Sequence, residues 1–267
     1  MIQLTDMIEA IRKEGYNDLS AEARVCQDVV LKAIASSQFN NNITVKGGVV
    51  MRSITGDARR ATQDMDLDFI RYSLEENSIR RFIERLNCLE GIRIQIAGNI
   101  EELSQQEYHG KRVYITIADF TGYTIHSKID LGVHKQIQIE QDEYCFDVCM
   151  DDEGASLLIN SKEQIFTEKL RSLLRFGPFS TRYKDIFDLC WLSSHVDKAR
   201  LLSCMEIYIF SNPEIKENNI DSILKRIRKI FTNSNYRKRI EQSRSANWMG
   251  ISPDVAIDTV EKFLENL

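Results

Sequence analysis

The segment Lys46-Gly47-Gly48, followed by Arg60-Ala61-Thr62-Gln63-Asp64-Met65-Asp66-Leu67-Asp68, constrains this chain more than any other. Alternation along a strand sends Asp64, Asp66 and Asp68 to one face. Met65, Leu67 and Phe69 then go to the other, where a core can bury them. Asn42-Ile43-Thr44-Val45 reads as a short β-branched strand running into Gly47-Gly48. Val49 to Ile54 then reads as the opening of a helix whose N-terminus faces the same place. Taken singly, alternating acids are a solvated strand face and a double glycine is a turn. In this order they point to chemistry, because a glycine turn lets backbone N–H groups approach phosphate and clustered carboxylates hold divalent metal. The expectation is an enzyme that binds a nucleoside triphosphate through Mg²⁺ or Mn²⁺.

Length and composition allow this. The 267 residues suffice for one large or two ordinary domains, and only 3 Pro and 12 Gly argue against long flexible linkers. No apolar run approaches a membrane span, and Met1 to Lys13 has no signal-peptide core. A cytoplasmic location is expected. Cys26, Cys88, Cys145, Cys149, Cys190 and Cys204 form no CxxC pair and are expected as reduced, buried thiols. The four histidines have no zinc spacing.

A net charge of −5 does not describe a general nucleic-acid binder, but the distribution is uneven. Between Asp221 and Arg244 stand eight basic residues: Lys225, Arg226, Arg228, Lys229, Arg237, Lys238, Arg239 and Arg244. Against them are two acids, Asp221 and Glu241, a local +6. Ile223, Leu224, Ile227, Ile230 and Phe231 recur at helical spacing, so one face packs and the other is cationic. Either a solvated face or a patch for a polynucleotide fits this pattern.

Along the chain, Leu4 to Ser37 reads as helical and Ile79 to Leu89 as a helix. Ile92 to Ile96 reads as a strand, and Val113 to Ala118 with Tyr123 to His134 as a strand pair joined through Gly122. In the second strand Ile125, Ser127, Ile129, Leu131 and Val133 share one face. His126, Lys128, Asp130, Gly132 and His134 share the other, with both histidines expected at the surface or behind the ligands, not as ligands themselves. After about Gly154 the pattern is helical almost throughout. Ser161-Lys162-Glu163-Gln164 is a capping box, Ile165, Phe166, Leu170, Leu173 and Leu174 form a buried stripe, and Gly177-Pro178 ends that helix. The predicted class is α+β. A mixed-sheet domain over 1–155 precedes a helical bundle domain over 156–267.

The glycine turn and the run Arg60-x-Thr62-x-Asp64-Met65-Asp66 resemble the nucleotidyltransferase toxins of the AbiEii/AbiGii type, within the DNA polymerase β-like superfamily. Glu168-Lys169-Leu170 and Arg182-Tyr183-Lys184-Asp185-Ile186-Phe187-Asp188-Leu189 resemble two further motifs of that family. Val49 departs from it, supplying no hydroxyl where many relatives have Ser or Thr. The resemblance implies a nucleotide site of Lys46, Gly47, Gly48, Arg60 and Lys169. It implies a metal site of Asp64 and Asp66, completed by a third carboxylate from a neighbouring strand, for which Asp130 is the candidate. Asp130 or Asp185 would help to activate the acceptor hydroxyl, and Lys169 would contact phosphate. Asp68 has no assigned role. Lys169–Asp185 ion pairs between two helices are the structural alternative.

The implied activity is transfer of a nucleoside monophosphate from NTP to RNA, at the tRNA 3′ end, with release of pyrophosphate. The basic residues Lys225, Arg226, Arg228, Lys229, Arg237, Lys238 and Arg239 would meet that RNA. The resemblance also implies a toxin–antitoxin or phage-defence context, with a cognate antitoxin that need not bind directly. A non-catalytic RNA-binding module of the same fold, and a transferase acting on a protein or small molecule, are the competing readings.

Overall fold

A computed structural model describes residues 3–103 and 110–267. Contacts divide the chain into two units, Met1–Asn160 and Ser161–Leu267.

In the first unit, eight strands of the described residues form one mixed sheet. The strands are β1 (Ile43–Lys46), β2 (Met65–Phe69), β3 (Ile92–Ile96), β4 (Glu101–Leu103), β5 (Gly110–Asp119), β6 (Thr124–Val133), β7 (Asp142–Phe146) and β8 (Ala155–Ile159). Their order is β3-β5-β6-β2-β1-β8-β7, with β4 also paired to β5. The β2–β6 and β1–β8 pairs are parallel and the others antiparallel. The helices α1 (Leu4–Lys13), α2 (Asp18–Ala35), α3 (Gly47–Thr55) and α4 (Glu76–Arg85) complete the unit.

Leu4 to Ser37 is thus two helices rather than one. Gly15 takes φ +98°, and Asn17 restarts the helix by accepting from the Ser20 N–H at 2.9 Å. The segment after Gly154 also departs from the expectation, because β8 precedes the helices and extends the sheet unit to Asn160. Ala155-Ser-Leu-Leu-Ile159 is a short apolar strand beside β1. Its burial alternates, with Ala155, Leu157 and Ile159 inside, but the apolar Leu158 between them blurs that period in the sequence.

The β2 alternation holds. Met65, Leu67 and Phe69 are buried on the face where Phe69 packs edge-on against Phe82 of α4 and Tyr72, with ring centroids 5.2 and 5.0 Å away. Cys26, Cys190 and Cys204 are buried as expected. Cys88 and Cys145 are exposed, because each stands outside the apolar faces of its neighbours. Among the described residues no helix is long and apolar enough to cross a membrane.

The second unit contains α5 (Lys162–Phe176), α6 (Lys184–Leu192), α7 (Lys198–Met205), α8 (Ile220–Phe231), α9 (Ser234–Gln242) and α10 (Pro253–Glu265). Ser161 caps α5 by accepting from the Gln164 N–H at 3.1 Å, and the helix ends at Gly177, φ +55°. The five apolar residues of the basic segment, Ile223, Leu224, Ile227, Ile230 and Phe231, are all buried on α8.

Asp119, at the turn between β5 and β6, fastens the N-terminus of the chain to the sheet. Its carboxylate accepts from Leu4 N–H (2.9 Å), Thr121 N–H (2.9 Å), Thr121 Oγ1 (2.6 Å) and Tyr123 N–H (3.2 Å). Burial pushes this carboxyl up, but the four donors outweigh it and hold the group below the usual carboxylate range. A depressed folded-state pKa stabilises the fold above the unfolded-state value of about 3.9, and this contribution fades as pH falls towards the folded value. Asp119→Asn is expected to lose about 1–2 kcal/mol in urea melts at neutral pH. The gap to the native protein should narrow in melts below pH ~4; a gap independent of pH would show that the charge of Asp119 contributes nothing.

Candidate functional site

β1 is apolar and buried up to Val45, then delivers Lys46 and the glycine pair directly into α3. Gly47 has φ +68°, a conformation that disfavours any residue with a Cβ. It also has no room for one. A Cβ at 47 would lie 2.5 Å from Asp66 Oδ2, and a Cβ at 48 would lie 2.5 Å from Thr62 Oγ1. The glycines therefore let the N-terminus of α3 sit against Asp66 and Thr62. Lys46 occupies the cap position and gives no side-chain hydrogen bond to that terminus. Thr62, which had no expected role, is a neighbour of the glycine turn for this reason.

Strand register then builds a row of charge across four strands. Lys46 of β1 pairs with Asp66 of β2, Asp66 with Asp130 of β6, and Asp130 with Arg112 of β5. All lie on the face opposite Met65 and Leu67. Arg112 grips Asp130 with two parallel bonds, Nε to Oδ1 and Nη2 to Oδ2, both 2.7 Å. Those hydrogen bonds push the guanidinium pKa further up, against burial. Lys46 Nζ reaches diagonally to Asp68 Oδ1 at 2.6 Å. Gly132 permits this, since a Cβ there would stand 2.1 Å from the same Asp68 oxygen. Asp64 precedes β2, is exposed, and pairs with Lys128 Nζ at 2.8 Å.

The expected residues are thus placed unevenly. Asp66 and Asp130 face each other beside Gly47. Asp130 is buried, and so is His134 at 6% exposure, which leaves the position behind the site, not the surface one, of the two expected for that histidine. The end of β6 is covered there, and the His134 N–H donates to Phe69 O at 2.9 Å. Asp68 is nearly buried and holds Lys46. Arg60 is buried in the short helical turn Ala58–Arg60. Among the described residues no three His, Cys, Asp or Glu side chains converge as a metal cluster, so Asp64 is not gathered with Asp66 and Asp130. The donors suit a hard divalent cation in kind, being carboxylate oxygens with room left by a glycine. Arg112 was missed. Equal steps along both strands from Thr121, at the centre of the hairpin turn, would have placed it opposite Asp130.

In the helical unit, Lys169 of α5 and Asp185 and Asp188 of α6 form one buried cluster. Lys169 Nζ lies 2.5 Å from Asp185 Oδ1 and 2.8 Å from Asp188 Oδ2. Trp248 Nε1 donates to Asp188 Oδ1 at 2.9 Å, and Arg182 Nε reaches Asp185 Oδ2 at 2.8 Å. The ion-paired helix pair considered as the structural alternative is therefore present. In the basic segment, carboxylates of α10 take up part of the charge. Arg228 pairs with Glu265 and Glu261, and Arg237 with Asp254. Arg239 donates to Pro178 O at 2.8 Å. A separate cavity of about 860 Å³ beside β3 and α4 is lined by none of the expected site residues.

Comparison with known proteins places these features in a family. The family model described as nucleotidyl transferase AbiEii toxin, type IV toxin–antitoxin system, matches residues 29–249. No curated protein matches the chain. Among solved structures, an antigenic nucleotidyltransferase-like protein from Paracoccidioides brasiliensis is similar at 15% identity and TM-score 0.49, over 82% of this chain and 92% of that one. The family match spans the glycine turn, the acidic strand, Asp130 and the Lys169–Asp188 cluster, and the chain belongs to the AbiEii nucleotidyltransferase toxin family.

Proposed function

We propose that this nucleotidyltransferase moves a nucleoside monophosphate from an NTP to the 3′-terminal hydroxyl of an RNA, with tRNA as the acceptor, and that a cognate antitoxin opposes it. The observation that carries the reading is the row Lys46–Asp66–Asp130–Arg112 set against the α3 N-terminus. It brings anion-binding N–H groups, two cations and a carboxylate pair into one place.

Each residue has a definite task in this reading. The N–H groups of Gly47 and Gly48 bind triphosphate oxygens, and Lys46 and Arg60 balance their charge. Asp66 and Asp130, with Asp64, would hold Mg²⁺ or Mn²⁺. When bound, that cation supplies Lewis-acid polarisation of phosphate. Asp130 or Asp185 accepts the proton of the attacking hydroxyl, and pyrophosphate departs. Lys169, held by Asp185 and Asp188, ties α5 to α6 within the helical unit. In this reading the Arg112 guanidinium is a stand-in counter-charge that keeps the Asp130 carboxylate aligned until nucleotide arrives.

Incubation with each α-labelled NTP, Mg²⁺ and total RNA is expected to place label in RNA. Label in protein or a small molecule would sink the RNA assignment, and no label with any NTP would sink the transfer itself. Asp66→Asn and Asp130→Asn are expected to lose at least about a hundredfold in labelling while melting normally, as for removal of a group acting on developing charge; retained activity would remove them from the site. Because Arg112 competes for Asp130, Arg112→Gln is expected to bind Mn²⁺ about tenfold more tightly in spin-resonance titrations, the size of one charge-assisted pair. Equal or weaker binding would show that Arg112 does not compete. Lys169→Met leaves Asp188 buried without its cation and is expected to cost about 3–5 kcal/mol in denaturant melts as well as activity.

A further inference from the structure

We propose that the turn Gly177–Phe179, together with Phe176, is a stacking platform for the bases of a single-stranded polynucleotide. The proposal rests on the RNA-acceptor reading for its biological sense, but on different residues and a different observable. Phe179 is 82% exposed and Phe176 48% exposed. A phenyl ring as open to water as that of Phe179 gains almost nothing for folding, and a second partly exposed ring three residues before it adds to the case for a partner.

Arginines of α5, α8 and α9 stand at this turn. The Arg175 guanidinium lies 5.9 Å from the centre of the Phe176 ring. Arg226 of α8 lies against Gly177, where a Cβ would come within 3.0 Å of its Nη2. Arg239 of α9 donates to Pro178 O at 2.8 Å. Arg182 follows the turn and carries its guanidinium 60% exposed while touching Asp185. Among the described residues Arg226 and Arg239 are in no ion pair. Glu214 stands 3.7 Å from Arg175, and Asp185 is shared with Lys169. The patch is therefore cationic as well as aromatic.

This chemistry selects the partner. Arginine forks bind phosphate oxygens and stack on flat rings, where lysine offers only a point charge. Bases offer their faces to a phenyl ring only when they are unpaired, which favours a single strand over a duplex. An apolar protein partner would be matched by a wider apolar patch with fewer charges at its centre. The backbone also holds the rings in place. Gly177 at φ +55° and Pro178 fix the turn, and Arg239 braces it from α9, so Phe179 is presented with little freedom to lose on binding.

The test measures binding, not turnover. The full chain is titrated against a fluorescein-labelled single-stranded RNA of roughly twelve nucleotides, across a range of salt concentrations. Phe179→Ala is expected to weaken binding about tenfold, the scale of one lost base stack, with an unchanged salt slope. Arg226→Gln is expected to weaken binding and to lower the slope by roughly 0.7, one phosphate contact on a single strand. Phe179→Trp should restore affinity, with its indole emission quenched by the RNA. Its exposure means that Phe179→Ala should melt like the native protein. The proposal is overturned by unchanged affinity in Phe179→Ala, by equal binding of duplex RNA, by quenching with NTP alone, or by absence of RNA binding at low salt. It is equally overturned by a dimer that Phe179→Ala dissolves, which would make the patch a self-association face. Binding as expected without any labelled RNA product would leave the platform standing and remove the transfer reading alone.

Discussion

Asp66 and Asp130 are direct neighbours on adjacent parallel strands, and the surrounding sheet is arranged to tolerate two carboxylates in that relation. Like charges at opposed positions destabilise a sheet. Counter-charges come from both flanks, Lys46 on β1 and Arg112 on β5, each placed by the same register that creates the conflict. Room comes from glycine. Gly47 yields to Asp66, and Gly132 yields to Asp68, so the lysine can bridge to Asp68 instead of crowding Asp66. The glycines and cations are consequences of one decision, to keep acids on a face that the outer strands partly cover.

That face requires α3 to hold its position, and a buried ion cluster behind it does so. Asp28 of α2 is fully buried and accepts from Arg24 Nε at 2.8 Å, while Arg52 of α3 stands 3.4 Å away at 2% exposure. Burial pulls the Arg52 guanidinium below its ordinary value against the pull of Asp28. Asp28 also accepts the Cys149 N–H at 3.1 Å. Removing it would leave two arginines uncompensated in the interior, a far larger penalty than losing a surface pair. The helical unit repeats this device in Lys169, Asp185 and Asp188, where Trp248 satisfies the innermost carboxylate. Both clusters spend charge on fixing helices relative to their neighbours, and so bear on geometry before they bear on chemistry.

Patterns read within a single element were legible in the sequence. The β2 alternation, the glycine start of α3, the Ser161 cap and the buried stripe of α8 each depend on spacing along one helix or strand, and each matches the structure. What depends on pairing between elements was less visible. In β8 the apolar Leu158 blurs the alternation, so its place beside β1 could not be read, and the sheet unit reaches further than expected. Asp64 belongs to the alternating run in sequence, yet it lies outside β2 and turns to Lys128, because the strand begins one residue later. Arg112 shows the intermediate case. It stands in an unremarkable Lys-Arg-Val stretch, and only the hairpin register makes it the partner of Asp130.

The basic segment shows why a charge count along the chain misjudges a surface. Screening confines what an approaching polyanion feels to charges within about 8–10 Å. Arg228 and Arg237 face α10, whose Asp254, Glu261 and Glu265 come from a stretch with no evident relation to the segment. Among the described residues Lys225, Arg226, Lys229 and Lys238 carry no ion pair, and Arg239 turns toward Pro178. Three of these four stand on α8, and one of them, Arg226, borders the Gly177–Phe179 turn, where α9 contributes Arg239 and Phe179 the exposed ring. A polynucleotide drawn by the uniform helix would need only phosphates; one drawn to this turn needs bases as well, and that difference is what makes the turn a site rather than a charge.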